Sequence, residues 1–283
     1  MTTTHAEKLA DGLAFPEGPR WHGGALWLSD MQGREVVRLG EDGVLESVAQ
    51  VPECPSGLGF LPDGRLIVVS QHDRRLLRLD EDGLHEHADL SDLAPWHLND
   101  MAVDAHGRAY VGNYGDASVP PDPPAPTVLI LVEPDGSTRV VADDLLFPNG
   151  VAVTPDGGTL IVAETRADPG RLSAFTIDSD GGLRDRRLLA TFAPGEMPDG
   201  IAADAESGVW VALPFNNELV RVDADGVLDQ RIAFDNPYAV ALGGPDGRDL
   251  FVCSAPTWEP EEAVRLRAGA VHRLRVDVPA AGA

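Results

Sequence analysis

Six short segments of the chain share one pattern, in which a residue of varying type comes shortly before or at the start of an expected strand. The segments read FPEGPRW, CPSGLGF, HLNDMAV, FPNGVAV, MPDGIAA and NPYAVAL, and they recur at intervals of about 40 to 50 residues. The residues in the equivalent place are, in chain order, Glu17, Ser56, Asn99, Asn149, Asp199 and Tyr238. Two carboxylates and two amides are among them, and oxygen donors of this kind suit calcium or a similar hard divalent ion.

Turn formation is the alternative interpretation of any one of these segments. Asn, Asp and Gly tolerate the left-handed backbone region that many turns require, so a single Pro-Asn-Gly or Pro-Asp-Gly is commonly a turn. Glu17 and Tyr238 are poor turn formers, however, although they occupy the same place in the repeat. We therefore interpret the six residues as a ring, with Ser56 and Tyr238 as non-ligands. The predicted metal ligands are Glu17, Asn99, Asn149 and Asp199.

Two further repeated units surround these segments and predict strands. The first is a turn followed by an alternating apolar strand, as in LPDGRLIVVS and TPDGGTLIVAE, and it occurs six times. The second is an alternating strand that runs into a charged turn, as in RRLLRLDEDG and NELVRVDADG, and it also occurs six times. Long helical periodicity is absent, which favours an all-β fold.

The repeats predict a six-bladed β-propeller with four-stranded blades around a central channel. The innermost strand of each blade lines such a channel, so one residue per blade at the same strand end forms a ring around the axis. The N-terminal segment EKLADGLAF is expected to supply the outermost strand of the last blade and to close the ring. No linker-like composition divides the chain, and we expect residues 1–283 to form a single domain.

The acidic composition argues against several classes of partner. With 22 basic and 46 acidic residues, the chain has a formal net charge of −24, which repels nucleic-acid phosphates and anionic lipid headgroups. The sequence contains neither a secretory signal pattern nor the roughly 20 consecutive apolar residues of a membrane span. We expect a cytoplasmic protein that acts on a small molecule and binds neither nucleic acid nor membrane. Cys54 and Cys253 are too few for a disulfide framework, and we expect both to be reduced and partly buried.

Two irregular segments are candidates to surround the mouth of the channel. Residues 112–127, GNYGDASVPPDPPAPT, are rich in proline and are expected to form either a lid, with Tyr114 and Asp116 near the mouth, or a rigid surface connection. Residues 254–269, SAPTWEPEEAVRLRAG, are a second long connection that could roof the cavity.

Aromatic side chains and one histidine are further candidates for the entrance. Trp96 and Trp258 are expected either to line it or to pack between blades, and His97 directly follows Trp96. The other histidines lie in turns or polar strands, and we expect them at the surface: His5, His22, His72, His85, His87, His106 and His272. The sequence contains no G-x-S-x-G elbow, no G-x-G-x-x-G and no Walker segment, so serine-hydrolase and nucleotide-binding templates have no support.

The ordered set of segments resembles a known protein family. FPEGPRW with LWLSD, NDMAVDAHGRAYVG, FPNGVAVTPDGGTLIVAET, MPDGIAADAESGVWVA and AVALGGPDGRDLFVCSA are similar to the senescence-marker-protein/gluconolactonase family of six-bladed propellers over nearly the whole chain. The resemblance implies a divalent metal at the bottom of the channel, held by Glu17, Asn149 and Asp199, with Asn99 in contact with the metal, its water or the substrate. It also implies lactone hydrolysis, whereas related propellers hydrolyse organophosphates.

His97 is the position at which the chain departs from the family pattern. In the animal enzymes the residue two before the motif asparagine is an arginine that contacts the sugar lactone, and His97 stands there in this chain. The change puts a gluconolactone-type polyol substrate in question.

The sequence thus predicts a divalent-metal-dependent hydrolase that opens a lactone or a related ester with metal-activated water. We expect one divalent ion, calcium in the first place, with Zn, Mn or Mg as alternatives. Asp199 is the predicted proton acceptor and His97 its rival, while Asn99 positions the carbonyl group or the water. His97, Asn99 and Tyr114 are expected to contact the substrate.

Two alternative functions stay open at this point. The same metal scaffold could support other chemistry, such as phosphotriester hydrolysis or a metal-assisted rearrangement in a biosynthetic pathway. The chain could also be a non-enzymatic binding propeller in which the metal is structural.

Overall fold

Antiparallel strands make up nearly all of the regular structure. The computed structural model describes residues 6–40 and 43–281, and within them the strands form six four-stranded sheets that follow one another along the chain. This arrangement confirms the predicted six-bladed propeller with four-stranded blades. Each sheet is a blade, and its strands run in sequence order from the centre outwards, apart from the last blade.

The blades are numbered from the N-terminus. From the inner to the outer strand, the first three blades consist of β2 (Pro16–His22), β3 (Ala25–Asp30), β4 (Glu35–Leu39) and β5 (Leu45–Gln50); β6 (Pro55–Phe60), β7 (Leu66–Ser70), β8 (Arg75–Asp80) and β9 (Gly83–Asp89); and β10 (Leu98–Val103), β11 (Ala109–Asn113), β12 (Thr127–Val132) and β13 (Thr138–Leu145). The next two consist of β14 (Pro148–Val153), β15 (Thr159–Glu164), β16 (Arg171–Ile177) and β17 (Leu183–Thr191); and β18 (Ile201–Ala203), β19 (Val209–Leu213), β20 (Glu218–Val222) and β21 (Leu228–Ala233).

Blade 6 closes the ring with a strand from the other end of the chain. Its strands are β22 (Pro237–Gly243), β23 (Asp249–Ser254), β24 (Gly269–Arg275) and, outermost, β1 (Glu7–Leu13). β1 pairs antiparallel with β24, which confirms the expected role of the EKLADGLAF segment. The inner strands also contact one another in a closed cycle from β2 through β22 and back to β2. We propose from this closure that the chain forms one domain.

Hydrophobic packing between neighbouring blades supplies the core. Within the described residues, each junction between two blades has its own buried cluster. Ile67 and Val69 of blade 2, for example, pack with Met101 and Val111 of blade 3. Because each blade buries its faces against its two neighbours, the array is stable only when the ring is complete.

Glycine after the ring residue lets adjacent inner strands touch through their backbones. A Cβ atom at Gly18 would lie 2.6 Å from the carbonyl oxygen of Ser56 in the next blade, and one at Gly150 would lie 2.5 Å from the carbonyl oxygen of Asp199. The same close approach occurs at two further positions, Gly57 and Gly200. These glycines are therefore required by packing between blades.

One α-helix and a short 3-10 turn complete the described residues. α1 (Pro260–Leu266) lies in the segment predicted to roof the cavity, and the 3-10 turn spans Pro214–Asn216. Proline at the start of α1 and glutamates in its first turn match the preferences of a helix N-terminus. Within the described ranges no helix combines the length and the apolar character that a membrane crossing requires. Cys54 and Cys253 are free thiols, as expected, but both are fully buried instead of partly buried.

Replacing Gly150 by alanine tests the packing of the inner strands. We expect Gly150→Ala to lower the free energy of unfolding by about 1–3 kcal/mol, because the added methyl group overlaps the backbone of the next blade. Gly158→Ala in the same blade is the matched control, since its Cβ would lie 3.4 Å from its nearest neighbour and neither glycine has a positive φ. Denaturant titration measures both variants; equal stabilities would contradict the packing role.

Candidate active site

The six ring residues lie at the starts of the inner strands and not in turns. Five are strand residues, and Asp199 comes two residues before β18. Pairing with the second strand shifts register at this point, between Glu17 and Arg20 in β2 and between Pro148 and Val151 in β14. The same irregularity occurs in β6, β10 and β22. A bulge of this kind changes the direction of a side chain relative to the face of its sheet. The ring side chains can therefore leave the packing between blades.

All six strand starts lie at one end of the propeller. The strands of a blade alternate in direction, so this end also holds the connections between blades and those between second and third strands. The ring is therefore surrounded by the loops that contain His97, Tyr114, Trp258 and α1. We call the channel opening at this end the mouth.

Glu17 and Asp199 are close enough to influence each other electrostatically. Burial raises the pKa of Glu17 well above its usual range, and the charge of Asp199 raises this pKa further. Burial also raises the pKa of Asp199, although a hydrogen bond from the Asn149 side chain opposes that effect. Burial likewise raises the pKa of Tyr238, and the charges of Asp199 and Glu17 contribute to the rise. The structure thus brings the ring residues of blades 1, 4, 5 and 6 together.

Asn99 completes the ring from the opposite side. It is buried, and its Oδ1 accepts a hydrogen bond from Ser56 Oγ at 3.3 Å. Ser56 is held in turn by its carbonyl oxygen, which accepts from Ser29 Oγ at 2.6 Å. Nδ2 of Asn99 is buried without a hydrogen-bond partner in the described structure. An unpaired buried donor of this kind is costly unless a further group binds to it.

An ion pair beside the ring was not predicted from the sequence. Arg20 Nη2 donates to Asp100 Oδ1 at 2.8 Å and also to the carbonyl oxygen of Met101. Asp100 directly follows Asn99 and accepts from Met101 N at 2.8 Å. Burial raises the pKa of Asp100, while Arg20 opposes this rise. The charge of Asp100 also raises the pKa values of Glu17 and Asp199, which places the ion pair within electrostatic reach of the ring.

His97 lies at the mouth within a group of aromatic rings. Its ring stacks on Trp96 with centroids 4.7 Å apart, and it lies 4.5 Å from the ring of His72. Burial lowers the pKa of His97 to about 4, and the charges of His72 and Arg74 contribute to the decrease. The imidazole is therefore neutral near pH 7. Trp96 itself is 38% exposed and stacks on His97, so it is not packed between blades.

Tyr114 forms the next part of the same wall. Its ring centroid lies 6.3 Å from that of His97 and 4.5 Å from that of Phe147, and its hydroxyl oxygen accepts a hydrogen bond from Gln71 Nε2 at 2.9 Å. Burial raises the pKa of Tyr114, with smaller contributions from Cys54, Glu17 and Asp199. The sequence did not predict Gln71 or Phe147 as residues of this wall. The signal for Phe147 was its place directly before the Pro-Asn-Gly segment.

The expected surface position holds for only some of the histidines. His85 and His106 are exposed, as predicted. His72 was predicted wrongly, because the loop after β7 folds it against His97 at the mouth. The remaining described histidines, His22, His87 and His272, are partly buried, and His5 lies outside the described residues.

The proline-rich connection is fixed by hydrogen bonds at several points. Asp116 accepts from Ser118 N at 2.9 Å and from Ala125 N at 2.8 Å, so its carboxylate is engaged in the loop and not presented to the mouth. Arg166 of the next blade donates to the carbonyl oxygens of Ser118 and Asp122. The second connection carries α1, whose Ala263 is buried in a cluster that includes Tyr238. Trp258, which precedes α1, is 44% exposed.

The chemistry of the ring suits a hard divalent cation. Two carboxylates raise each other's proton affinity when buried together, and a cation between them would relieve this repulsion. No three Asp, Glu, His or Cys side chains in the described part of the chain are grouped as a metal cluster. The side-chain amides of Asn99 and Asn149 are the further oxygen donors among the ring residues. A set made only of oxygens is the kind that calcium prefers.

Comparison with known proteins agrees with this architecture. The family model described as SMP-30/Gluconolactonase/LRE-like region matches residues 15–256. Pentonolactonase XacC of Haloferax volcanii is 28% identical over 297 residues, covering 100% of this chain and 96% of the relative. The 6-deoxy-6-sulfogluconolactonase of Pseudomonas putida is 30% identical over 266 residues, covering 90% and 88%. The structure of regucalcin from Agrobacterium tumefaciens, a calcium-binding protein, superposes with a TM-score of 0.81 at 23% identity, covering 98% of this chain and 95% of that one.

The six blades, the bulged inner strands and the matched range of residues agree on one assignment. The chain belongs to the SMP-30/gluconolactonase/LRE-like family.

Proposed function

We propose that the protein hydrolyses a lactone with the help of one divalent cation. Glu17, Asn149 and Asp199, together with Asn99, would hold the ion. The observation that carries the proposal is the convergence of two carboxylates at the mouth, where the charge of Asp199 raises the pKa of Glu17. The names of the lactonase relatives support a sugar-acid lactone or a related small molecule as the substrate.

Calcium is the first choice for the cation. All four proposed ligands offer oxygen, and calcium accepts six to eight such donors in flexible arrangements. The description of regucalcin as calcium-binding supports the same choice. Zn, Mn or Mg are alternatives. When bound, the cation would polarise the lactone carbonyl group and lower the pKa of a bound water molecule.

Asp199 is our candidate for the proton acceptor. If Asp199 binds the cation through one carboxylate oxygen, its second oxygen stays free to accept a proton. The hydrogen bond from Asn149 fixes the carboxylate in one orientation, so that it can take a proton from the attacking water. Nδ2 of Asn99 would donate a hydrogen bond to the carbonyl oxygen or to the water, because that buried donor has no partner in the described protein.

His97 is placed to orient the substrate and not to transfer a proton. A pKa of about 4 makes it a weak base, and its ring is held between Trp96 and His72. Together with Tyr114 it offers a neutral aromatic wall against which a small ring can pack. The family arginine that contacts a sugar lactone is absent, so we assign substrate selection at this wall to packing and hydrogen bonding.

Turnover of lactones with and without a chelator tests the proposed activity. We expect the purified protein to open one or more sugar-acid lactones, to lose this activity on chelation, and to regain it when calcium is added. The control is the melting temperature of the chelated protein. Activity that survives chelation would contradict the metal-dependent mechanism. A chelated protein that only melts earlier, with no turnover in either state, would indicate a binding propeller with a structural metal.

Two substitutions separate the proton acceptor from the wall of the pocket. Asp199→Asn keeps an oxygen donor but removes the base, so we expect part of the metal to stay bound and kcat to fall by about 10²- to 10⁴-fold. His97→Ala should mainly raise KM. His106→Ala, in an exposed turn at the other end of blade 3, is the matched histidine control. Normal metal content and KM in His97→Ala, combined with a fall in kcat of that size, would make His97 the base.

A further inference from the structure

Blade 3 departs from the other blades at the position after the ring residue. Blade 6 has Ala239 in this place, and blade 3 has Asp100. The remaining four blades have glycine there: Gly18, Gly57, Gly150 and Gly200. A carboxylate is thus introduced beside the ring at a position where the fold otherwise uses the smallest residues.

Arg20 engages this carboxylate from a blade that is not its neighbour. It belongs to β2 of blade 1, 80 residues away in sequence, and reaches past blade 2 to Asp100 and Met101 in β10. Gly57 in the intervening strand packs directly on β10, because a Cβ atom there would lie only 2.5 Å from Met101 N. The side chain of Arg20 is 21% exposed and that of Asp100 only 7%, so the pair is largely shielded from water.

In the described structure, the Arg20–Asp100 pair thus lies within electrostatic reach of the carboxylates of Glu17 and Asp199. Asp100 raises the pKa of Glu17 and of Asp199, whereas Arg20 lowers the pKa of Glu17 and of Asp100. Asp100 itself accepts hydrogen bonds from Arg20 and from Met101 N, and it forms one with the backbone of Val151. The hydrogen bonds from Arg20 and from Met101 N both go to Oδ1 of Asp100.

We propose that Arg20 holds the Asp100 carboxylate away from the cation and thereby limits the charge of the site to two carboxylates. This inference rests on the proposed function, because it concerns the same cation. With Glu17 and Asp199 as the anionic ligands, a divalent ion leaves the site neutral. A third free carboxylate would bind the ion more tightly and would favour trivalent ions over divalent ones.

The sign of the change in cation affinity separates this role from a purely structural one. If Arg20 screens Asp100, removing Arg20 strengthens cation binding, whereas removing the charge of Asp100 leaves Arg20 unpaired near the ion and weakens binding. If the ion pair served only to hold the strands, both substitutions would loosen the site, and both would weaken binding.

Titration of the chelated protein with Ca²⁺ and with Tb³⁺ measures these affinities. We expect Arg20→Met to raise the affinity for Ca²⁺ by about tenfold or more, and that for Tb³⁺ by a larger factor, since one unit charge a few ångströms from the ion has an effect of that order. Asp100→Asn should lower the Ca²⁺ affinity by a similar factor. The double variant should return close to the unmodified protein, because it replaces a neutral pair with a neutral pair.

Two control variants accompany the series. Arg187→Met removes the same charge from an exposed position on the outer strand β17 and should leave both affinities unchanged. Arg20→Lys keeps the charge, and we expect its Ca²⁺ affinity to stay near that of the unmodified protein even if Arg20→Met fails to fold. Circular dichroism and the melting temperature of each chelated variant report whether the fold is intact.

The outcomes distinguish this inference from the proposed function. Cation binding by the unmodified protein, together with an unchanged or weaker affinity in folded Arg20→Met, would overturn the role of Arg20 alone. A weakened affinity in Arg20→Lys equal to that in Asp100→Asn would also overturn it. Absence of divalent binding by the unmodified protein would overturn both the inference and the proposed metal-dependent function.

Discussion

Direct packing of backbone against backbone between the inner strands is the constraint on which the rest of the molecule depends. At Gly150 the next strand occupies the space that a side chain would need, with the Asp199 carbonyl oxygen 2.5 Å from where a Cβ atom would lie. This contact, repeated in other blades, keeps the ring of inner strands narrow. Side chains at the bulged strand starts therefore meet in one small volume, and Glu17 and Asp199 come within electrostatic reach across blade 6.

The narrow ring also creates an electrostatic problem that the chain resolves in two ways. Carboxylates held close together with little access to water are unfavourable unless they are paired or bind a cation. Asp100 is paired with Arg20, and Asp199 receives a hydrogen bond from Asn149. Glu17 accepts a hydrogen bond from Gly18 N at 2.9 Å. The hydrophobic clusters between blades supply the stability that lets the fold tolerate these charges.

Much of the fold could be predicted from the sequence because each blade repeats a local pattern. Alternating apolar residues and charged turns predict strands from short-range information, and six repeats predict the ring. The bulges could not be predicted, since Pro-Asn-Gly has the same composition in a turn as in a bulged strand. In the folded chain, Gly150 of this segment is required because the inner strand of the next blade packs against it. That contact forms only on folding, so the sequence does not reveal it.

The contacts at the mouth were the least predictable part of the candidate site. Arg20 and Asp100 are 80 residues apart and lie on blades that are not neighbours, so no local pattern connects them. His72 was expected at the surface because its sequence neighbours are polar, yet the fold packs its ring against His97. Asp116 was expected near the mouth, and the structure shows its carboxylate bonded within its own loop.

A crystal structure of the calcium-loaded protein is the most direct test of the central claim that the narrow ring builds one cation site. The account predicts a single ion at the mouth, with oxygens of Glu17, Asn149 and Asp199 at about 2.3–2.6 Å from it. An ion bound elsewhere in the molecule, or an ion at the mouth from which any of these three side chains is turned away, would contradict it.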